Sequence, residues 1–410
     1  MSSITDPVAP TVQPAPPLTS LRIRGFRSVT DLELEPGPVT ALVGEAMAGK
    51  SNVLAAVHAL LEPAVSLDKA DVTVFADVPL QVEATLGSGG RVAVLGTGAT
   101  TTRAGAPPPP VLFLPAAARN STLVSLRAAH PVARRARSLL RQVLNEQLGG
   151  QRSDALPAAS LVGGLERCCL AGIRGLVLLV EEPELYLRPQ AQRYLHRLLR
   201  TFAQAGNQVV YSTHSPNLLS VARLEELAFV ERVGPASEVF RPDPLAAHDD
   251  LRALTEFDSA RSELFLAHAA LLVEGATERL ALPFAFAALG YDADREGVAI
   301  VECGGKGNIP LFARVCTAAR IPFAAAYDRD RADERLNATI CALSGPQNAF
   351  MLSPDFERAT GTKGGGHKPV RAWRHFAVLG RDDLPHVLVD AVERTIALAR
   401  AARAEIRSGR

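Results

Sequence analysis

Lysine is scarce in this chain. Five lysines stand against 39 arginines in 410 residues, so arginine carries nearly all generic positive charge and each lysine invites inspection. Cysteine is as sparse: Cys168, Cys169, Cys303, Cys316 and Cys341 form no CxxC or Cys/His ligand spacing, which argues against structural zinc. Their odd number fits reduced thiols. No window approaches the roughly 18 uninterrupted apolar residues of a membrane helix, so a soluble, cytoplasmic chain with no membrane partner is expected. Sustained heptads are missing, which excludes a long coiled-coil arm. Residues 1–18 carry Pro7, Pro10, Pro14, Pro16 and Pro17 but neither the basic start nor the apolar run of a signal peptide, and read as a disordered tail. A net charge of +1 leaves no chain-wide basic footprint. Arginines nevertheless crowd residues 119–141 (Arg119, Arg127, Arg134, Arg135, Arg137, Arg141) and recur in a basic tail at 401–410, which permits nucleic-acid binding without demonstrating it.

What is present suffices for two main domains, since 47% of the residues are hydrophobic and a domain takes about 150 residues. In the first, LTSLRIRGFRSVTDLELEP alternates as two strands, an apolar run at 39–43 enters GEAMAGKS at 44–51, and a helical pattern follows Lys50. Strand, glycine loop and helix in that order let backbone N–H groups and the positive helix end converge on phosphates. Gly44 and Gly49 frame the loop, Lys50 is placed to neutralise the β- and γ-phosphates, and the Ser51 hydroxyl to ligate Mg²⁺. GLVLLVEEPELYLRPQ at 175–190 reads as a buried parallel strand ending in two carboxylates. Glu181 would hold the Mg²⁺ through water, and Glu182 would orient or deprotonate the attacking water. NQVVYSTHSPNLL at 207–219 is a further apolar strand, and His214 at its end is placed to sense the γ-phosphate. The spacing fits a β-α-β unit. Between Leu61 and Ser160 a strand pair near 72–86 and 91–95 is expected, with TGATTTRAGAPPPP as a loop. Arg134, Arg135 and Arg137 on a helix over 121–149 offer either DNA contacts or a solvated basic face, the commoner case.

After a variable stretch at 233–262, the strand HAALLVEG presents Glu274 and then Glu278. A helical pattern, the strand GVAIVECGGKGN at 297–308, a helix at 309–319 and the strand IPFAAAYDRD follow. Carboxylates at the carboxyl ends of parallel strands are how such a sheet gathers ligands from remote positions. Asp328 and Asp330 suit hard, oxygen-seeking cations, or else pair with Arg329 and Arg331.

The first set, with IRGFRSV at 23–29 and the GKSNVL helix start, resembles the ABC-type ATPase domains of the RecF, SMC and OLD (overcoming lysogenization defect) group. The second, Glu274 with Asp328 and Asp330, resembles the Toprim pattern of the OLD nucleases. The resemblance covers nearly all of residues 19–400. It implies an α/β chain in which an ABC-type ATPase domain at 19–245, with a short insert at 61–160, precedes a Toprim domain at 246–400 built on a parallel sheet. ATP and two Mg²⁺ or Mn²⁺ ions are implied cofactors, with Glu278 and Glu357 as further metal ligands. Lys368, in GGGHKPVRAW, would stabilise charge on the phosphate. The group completes its ATP site with a signature motif from a second protomer, which implies a homodimer. ASLVGGLERCCLAG at 159–172 offers Ser160, Gly163 and Gly164, ahead of a helix, as a degenerate candidate. Met47, Glu181 in place of the commoner aspartate, and LRP at 187–189 depart from the group's pattern.

The expected function is ATP-binding and ATP-hydrolysing, metal-dependent DNA endonuclease or nickase, with room for a helicase partner. The alternative is an ATP-gated DNA-binding, repair or defence subunit with a weak or vestigial nuclease site that acts with a partner protein. A topoisomerase would need a nucleophilic tyrosine in a separate module, and a primase usually a zinc segment; neither is evident.

Overall fold

The computed structural model describes residues 17–75, 77–96, 100–116, 128–147, 158–329, 333–363 and 367–408. Its contacts divide the chain into two units, residues 1–42 with 50–213, and residues 43–49 with 214–410.

The first unit contains strands β1 (Leu18–Phe26), β2 (Val29–Leu34), β3 (Val39–Val43), β4 (Leu80–Leu86), β5 (Arg91–Gly96), β6 (Thr101–Gly105), β7 (Val111–Leu114), β8 (Val177–Glu181) and β9 (Gln208–Thr213). Its helices are α1 (Lys50–Leu61), α2 (Pro131–Gln147), α3 (Ala158–Leu170) and α4 (Pro189–Gln204). An antiparallel sheet runs β2-β1-β4-β5-β6. Alternation sets its inner face: Leu80, Val82, Ala84 and Leu86 of β4 are buried while the residues between them are not. The strands β3, β9, β8 and β7 lie side by side in that order, and β7, β8 and β9 are parallel. Their sequences are continuous apolar runs because both faces are covered. The α4 crossover joins β8 to β9. Gln208, fully buried, ties this unit together: it accepts the Leu18 N–H and donates to the carbonyls of Leu18, Pro36 and Gly37.

One expectation fails here. Thr101–Gly105, read from sequence as part of a loop, is β6 and pairs with β5. The reason lies in Arg103, whose guanidinium donates to the carbonyls of Ala59, Leu60, Glu62 and Val65 at the end of α1. Those orphan helix carbonyls need donors, and the strand holds Arg103 where it supplies them.

The second unit contains the hairpin β10 (Leu227–Val233) and β11 (Ala236–Phe240) and a parallel sheet of β12 (Ala269–Val273), β13 (Val298–Glu302), β14 (Phe323–Asp328) and β15 (Ala349–Leu352). The sheet order is β13-β12-β14-β15. Its helices are α5 (Pro216–Leu219), α6 (Ala247–Glu256), α7 (Ala276–Ala288), α8 (Ala293–Glu296), α9 (Ile309–Ala318), α10 (Glu334–Ser344), α11 (Phe356–Ala359), α12 (Lys368–Phe376) and α13 (His386–Ser408). Leu271 and Val273 of β12, Leu282 and Phe286 of α7, Phe376 of α12 and Leu388, Val392 and Ile396 of α13 form one buried cluster. An aromatic chain from Phe240 through Phe229, Phe265 and Phe257 to Phe312, with centroid separations of 5.3, 6.2, 5.5 and 4.7 Å, binds the hairpin to the helices around the parallel sheet. Each such pair contributes about 0.5–1.5 kcal/mol beyond its burial.

Candidate active sites

In the first unit, α1 begins at Lys50, whose side chain is buried, while Ser51 is exposed. Ser51 and Glu181 line one cavity of about 420 Å³, together with Arg27, His58 and Phe113. Glu181 ends β8 and accepts the Ala116 N–H at 2.9 Å. Glu182 turns out of the strand at φ 42°, held by its N–H on the Ser212 carbonyl at 3.0 Å. A glutamate in left-handed backbone is a strained feature of the kind found at functional sites. These four residues thus occupy one unit, with hydroxyl and carboxylate facing shared space.

In the second unit the loop glycines are required by the backbone. Gly44 has φ 155°, and a Cβ there would stand 2.0 Å from the Val230 carbonyl oxygen; Gly49 has φ 114°. Met47 is 87% exposed at φ 65°. His214 directly follows β9 and is half-buried.

The signature candidate is corrected by its packing. Ser160, Gly163 and Gly164 lie inside α3, not ahead of it, and Ser160 is completely buried. A Cβ on Gly163 would meet Val143 Cγ1 at 2.9 Å, and one on Gly164 would meet Leu140 Cδ2 at 2.2 Å. The close approach of α2 accounts for both glycines. On α2, Arg134 and Arg135 are exposed, while burial lowers the Arg137 pKa. Arg119 and Arg127 lie outside the described residues.

The parallel sheet of the second unit gathers a carboxylate site. Glu274 follows β12, and its Oε1 accepts the Asp328 N–H at 2.7 Å, so the ends of β12 and β14 are clasped by the side chain itself. Asp328 Oδ1 accepts the Phe356 N–H at 2.7 Å, which brings the start of α11 to the same place. Desolvation, and next the charge of Glu274, push the Asp328 carboxyl up to about 7. Glu278 is buried one turn into α7, where its Oε2 accepts the Gly275 N–H at 3.1 Å. Burial above all raises it to about 7 as well. Glu357 pairs with Lys368 at 2.9 Å, an interaction that raises the Lys368 pKa. Lys368 is well exposed, so the pair contributes little to stability. Asp355 instead caps α11 by accepting the Arg358 N–H at 2.8 Å.

Lys306 stands within the GGKG of the 297–308 segment, and no role is expected of it from sequence. Its side chain is buried, and its Nζ donates to the Asp328 carbonyl at 2.6 Å while lying 5.7 Å from the Tyr327 ring centre. The turn that delivers it is held by the Gly305 N–H on the Glu274 carbonyl at 2.7 Å, with Gly304 and Gly305 at φ 75° and 121°. One of five lysines inside a glycine-rich turn was the available signal. Lys306 thus steadies the strand end that carries Asp328.

Glu274 and Asp328 supply hard carboxylate oxygens at neighbouring strand ends, and burial with the Glu274 charge raises the Asp328 pKa, so the pair suits Mg²⁺ or Mn²⁺. Among the described residues, no three His, Cys, Asp or Glu side chains already form a metal cage. Glu278 is turned to its own helix start and Glu357 to Lys368, while Asp330 lies outside the described residues. The donor pair fits the cations; the remaining ligands would have to swing in.

Two family models match separate stretches of the chain. Residues 265–330 match the Toprim domain of overcoming lysogenization defect-like proteins, and residues 173–219 match an AAA ATPase domain. The OLD nuclease of Thermus scotoductus is 36% identical over 252 residues, covering 54% of this chain and 48% of that protein. The Old nuclease of Escherichia phage P2 is 27% identical over 154 residues, covering 35% of this chain and 25% of that protein. The matches thus span about half or less of these relatives' length. A solved C-terminal region of the Xanthomonas campestris pv. campestris OLD protein superimposes with a TM-score of 0.31 at 16% identity, covering 35% of this chain and 98% of that one. No helix among the described residues is long and apolar enough to cross a membrane. By these segments the chain is similar to an AAA ATPase domain at 173–219 and to an OLD-like Toprim domain at 265–330, the latter on the parallel sheet of the second unit.

Proposed function

We propose that the chain is a DNA endonuclease or nickase that uses Mg²⁺ or Mn²⁺ at the Toprim carboxylates and binds and hydrolyses ATP at the phosphate loop. The observation that carries the reading is the clasp of Glu274 on the Asp328 N–H, which joins two strand ends 54 residues apart in sequence, each bearing a carboxylate. Glu274 and Asp328 would hold the cations, with Glu278, Asp330 and Glu357 as candidate further ligands. When bound, two such ions activate water and stabilise the leaving 3′ oxygen. The side chains do the rest. Lys306 fixes the height of Asp328, Glu278 retains a proton near neutrality, and Lys368 sets a cation beside the carboxylates where phosphate charge must be met.

On the ATP side, Lys50 and Ser51 would meet phosphate and Mg²⁺, with Glu181 across their cavity, Glu182 orienting water, and Gly44, Gly49 and His214 completing the set. A homodimer that closes on ATP, a helicase partner and a cytoplasmic setting belong to the same proposal. Ser160 and Gly163, in the first turns of α3, would be the residues that complete the ATP site of the second protomer. The rival reading, an ATP-gated subunit with a vestigial site, is favoured by the lack of a ready three-ligand cage among the described residues. Incubation of supercoiled plasmid with Mg²⁺, with Mn²⁺ and with EDTA, each with and without ATP, separates the two. The nuclease reading expects open circles only with metal; plasmid untouched under every condition favours the rival.

A further inference from the structure

The single tryptophan of the chain, Trp373, is 47% exposed. It stands on α12, whose sequence KPVRAWRHF holds three side chains of fixed positive charge, Lys368, Arg371 and Arg374, and no acid. The inner face of this helix is well anchored: Ala372 and Phe376 are buried, Phe376 stacks on Phe356 with centroids 5.6 Å apart, and His375 Nε2 bonds the Thr360 carbonyl oxygen at 2.8 Å. The indole packs edge-on to Phe284 of α7 at 5.9 Å. Val370 beside it is 43% exposed. Among the described residues neither Arg371 nor Arg374 has an acidic partner, and the Arg371 Nε is buried without a hydrogen bond. The helix also starts at the carboxylate site, since Lys368 pairs with Glu357 on α11, and the N–H that opens α11 is held by Asp328.

A rigid aromatic ring presented by an anchored helix, with the Arg374 guanidinium on the next residue and Arg371 two residues back across the outer face, suits a strand whose bases are free to stack and whose phosphates carry the charge. Along α12 the rise from Lys368 to Trp373 is about 7.5 Å at ~1.5 Å per residue. A paired base offers its face only to its neighbours, whereas an unpaired one can lie on the indole.

We propose that α12 is the substrate platform of the Toprim site: Trp373 stacks on an unpaired base of DNA while Arg374 and Arg371 hold flanking phosphates, so the site prefers single-stranded or locally opened DNA. The proposal rests on the nuclease reading for its purpose, but its test does not require cleavage.

Because the chain has one tryptophan, its emission reports on this helix alone. The full chain in EDTA is titrated with oligothymidylate and with a duplex of the same length, while a labelled oligonucleotide reports total binding by anisotropy. The expected result is saturable quenching by the single strand, with duplex bound at least several-fold more weakly. Trp373→Ala should weaken single-strand binding roughly tenfold, Trp373→Phe should restore most of it, and Arg374→Glu should weaken it with emission otherwise unchanged. Anisotropy that saturates while the emission stays constant overturns the platform, as does equal loss in the Ala and Phe variants or tighter binding of duplex. A chain that nicks plasmid without quenching defeats this inference and leaves the nuclease reading intact; quenching without nicking does the reverse.

Discussion

Asp328 retains a proton at pH values where an ordinary aspartate has lost its own. Its folded pKa of about 7 lies above the usual 3.8, so between those values the folded chain binds more protons than the unfolded chain. Metal-free protein should therefore lose stability as pH rises through that window. Thermal melts in EDTA should show the decline, Asp328→Asn should flatten it, and Mg²⁺ or Mn²⁺ should recover most stability at the upper end, where the carboxylate is free to bind it. A melting temperature that rises steadily over the same range contradicts this assignment. Lys306 acts one bond away, through the Asp328 carbonyl. Lys306→Met should lower kcat by about tenfold and weaken metal affinity, with Lys306→Arg recovering part of both because a donor is restored. Equal activity of the Met variant and the parent would show that the strand end needs no such support.

Among the elements, α3 makes the sharpest distinction between a functional glycine and a packing glycine. Replacing a helical glycine by alanine ordinarily stabilises by up to about 1 kcal/mol. At Gly164 the added Cβ would stand 2.2 Å from Leu140 Cδ2 and 3.0 Å from its Cα. Gly164→Ala should therefore destabilise, by about 1–3 kcal/mol, as read by urea unfolding followed by circular dichroism. A stabilised variant would mean that α2 and α3 are not so close. From sequence, the glycines at 163 and 164 are expected ahead of a helix, and they lie within one. A paired glycine at a helix start and one under a crossing helix look alike in sequence, because the neighbour that demands the second kind lies about 20 residues away. The strands were legible because buried parallel strands write themselves as apolar runs, as at 177–180 and 323–327. The carboxylates at their ends were legible for the same reason. β6 was not, since its pairing is secured by Arg103 reaching the carbonyls of a helix about 40 residues earlier. Nor was the use of Lys306, whose partner is a backbone oxygen that no side-chain pattern announces.

At the scale of the whole molecule, two chemistries are assigned to separate residue sets, and each should fail alone. Lys50→Ala should abolish ATP binding, measured with a fluorescent nucleotide, and leave metal binding at Asp328 intact. Asp328→Ala should leave ATP binding within about twofold of the parent, since its contacts are with Glu274 and Phe356 of its own unit. Loss of nucleotide binding in the Asp328 variant would show that the two sets are not independent. Glu274 and Asp328, proposed as the metal site that cuts DNA, are probed by comparing the parent and Asp328→Ala on supercoiled plasmid in Mn²⁺, both first shown to be folded by circular dichroism. The parent should give open-circular and linear product, and the variant at least about a hundredfold less. Equal cleavage by the two proteins, or none by the parent, would contradict the proposal.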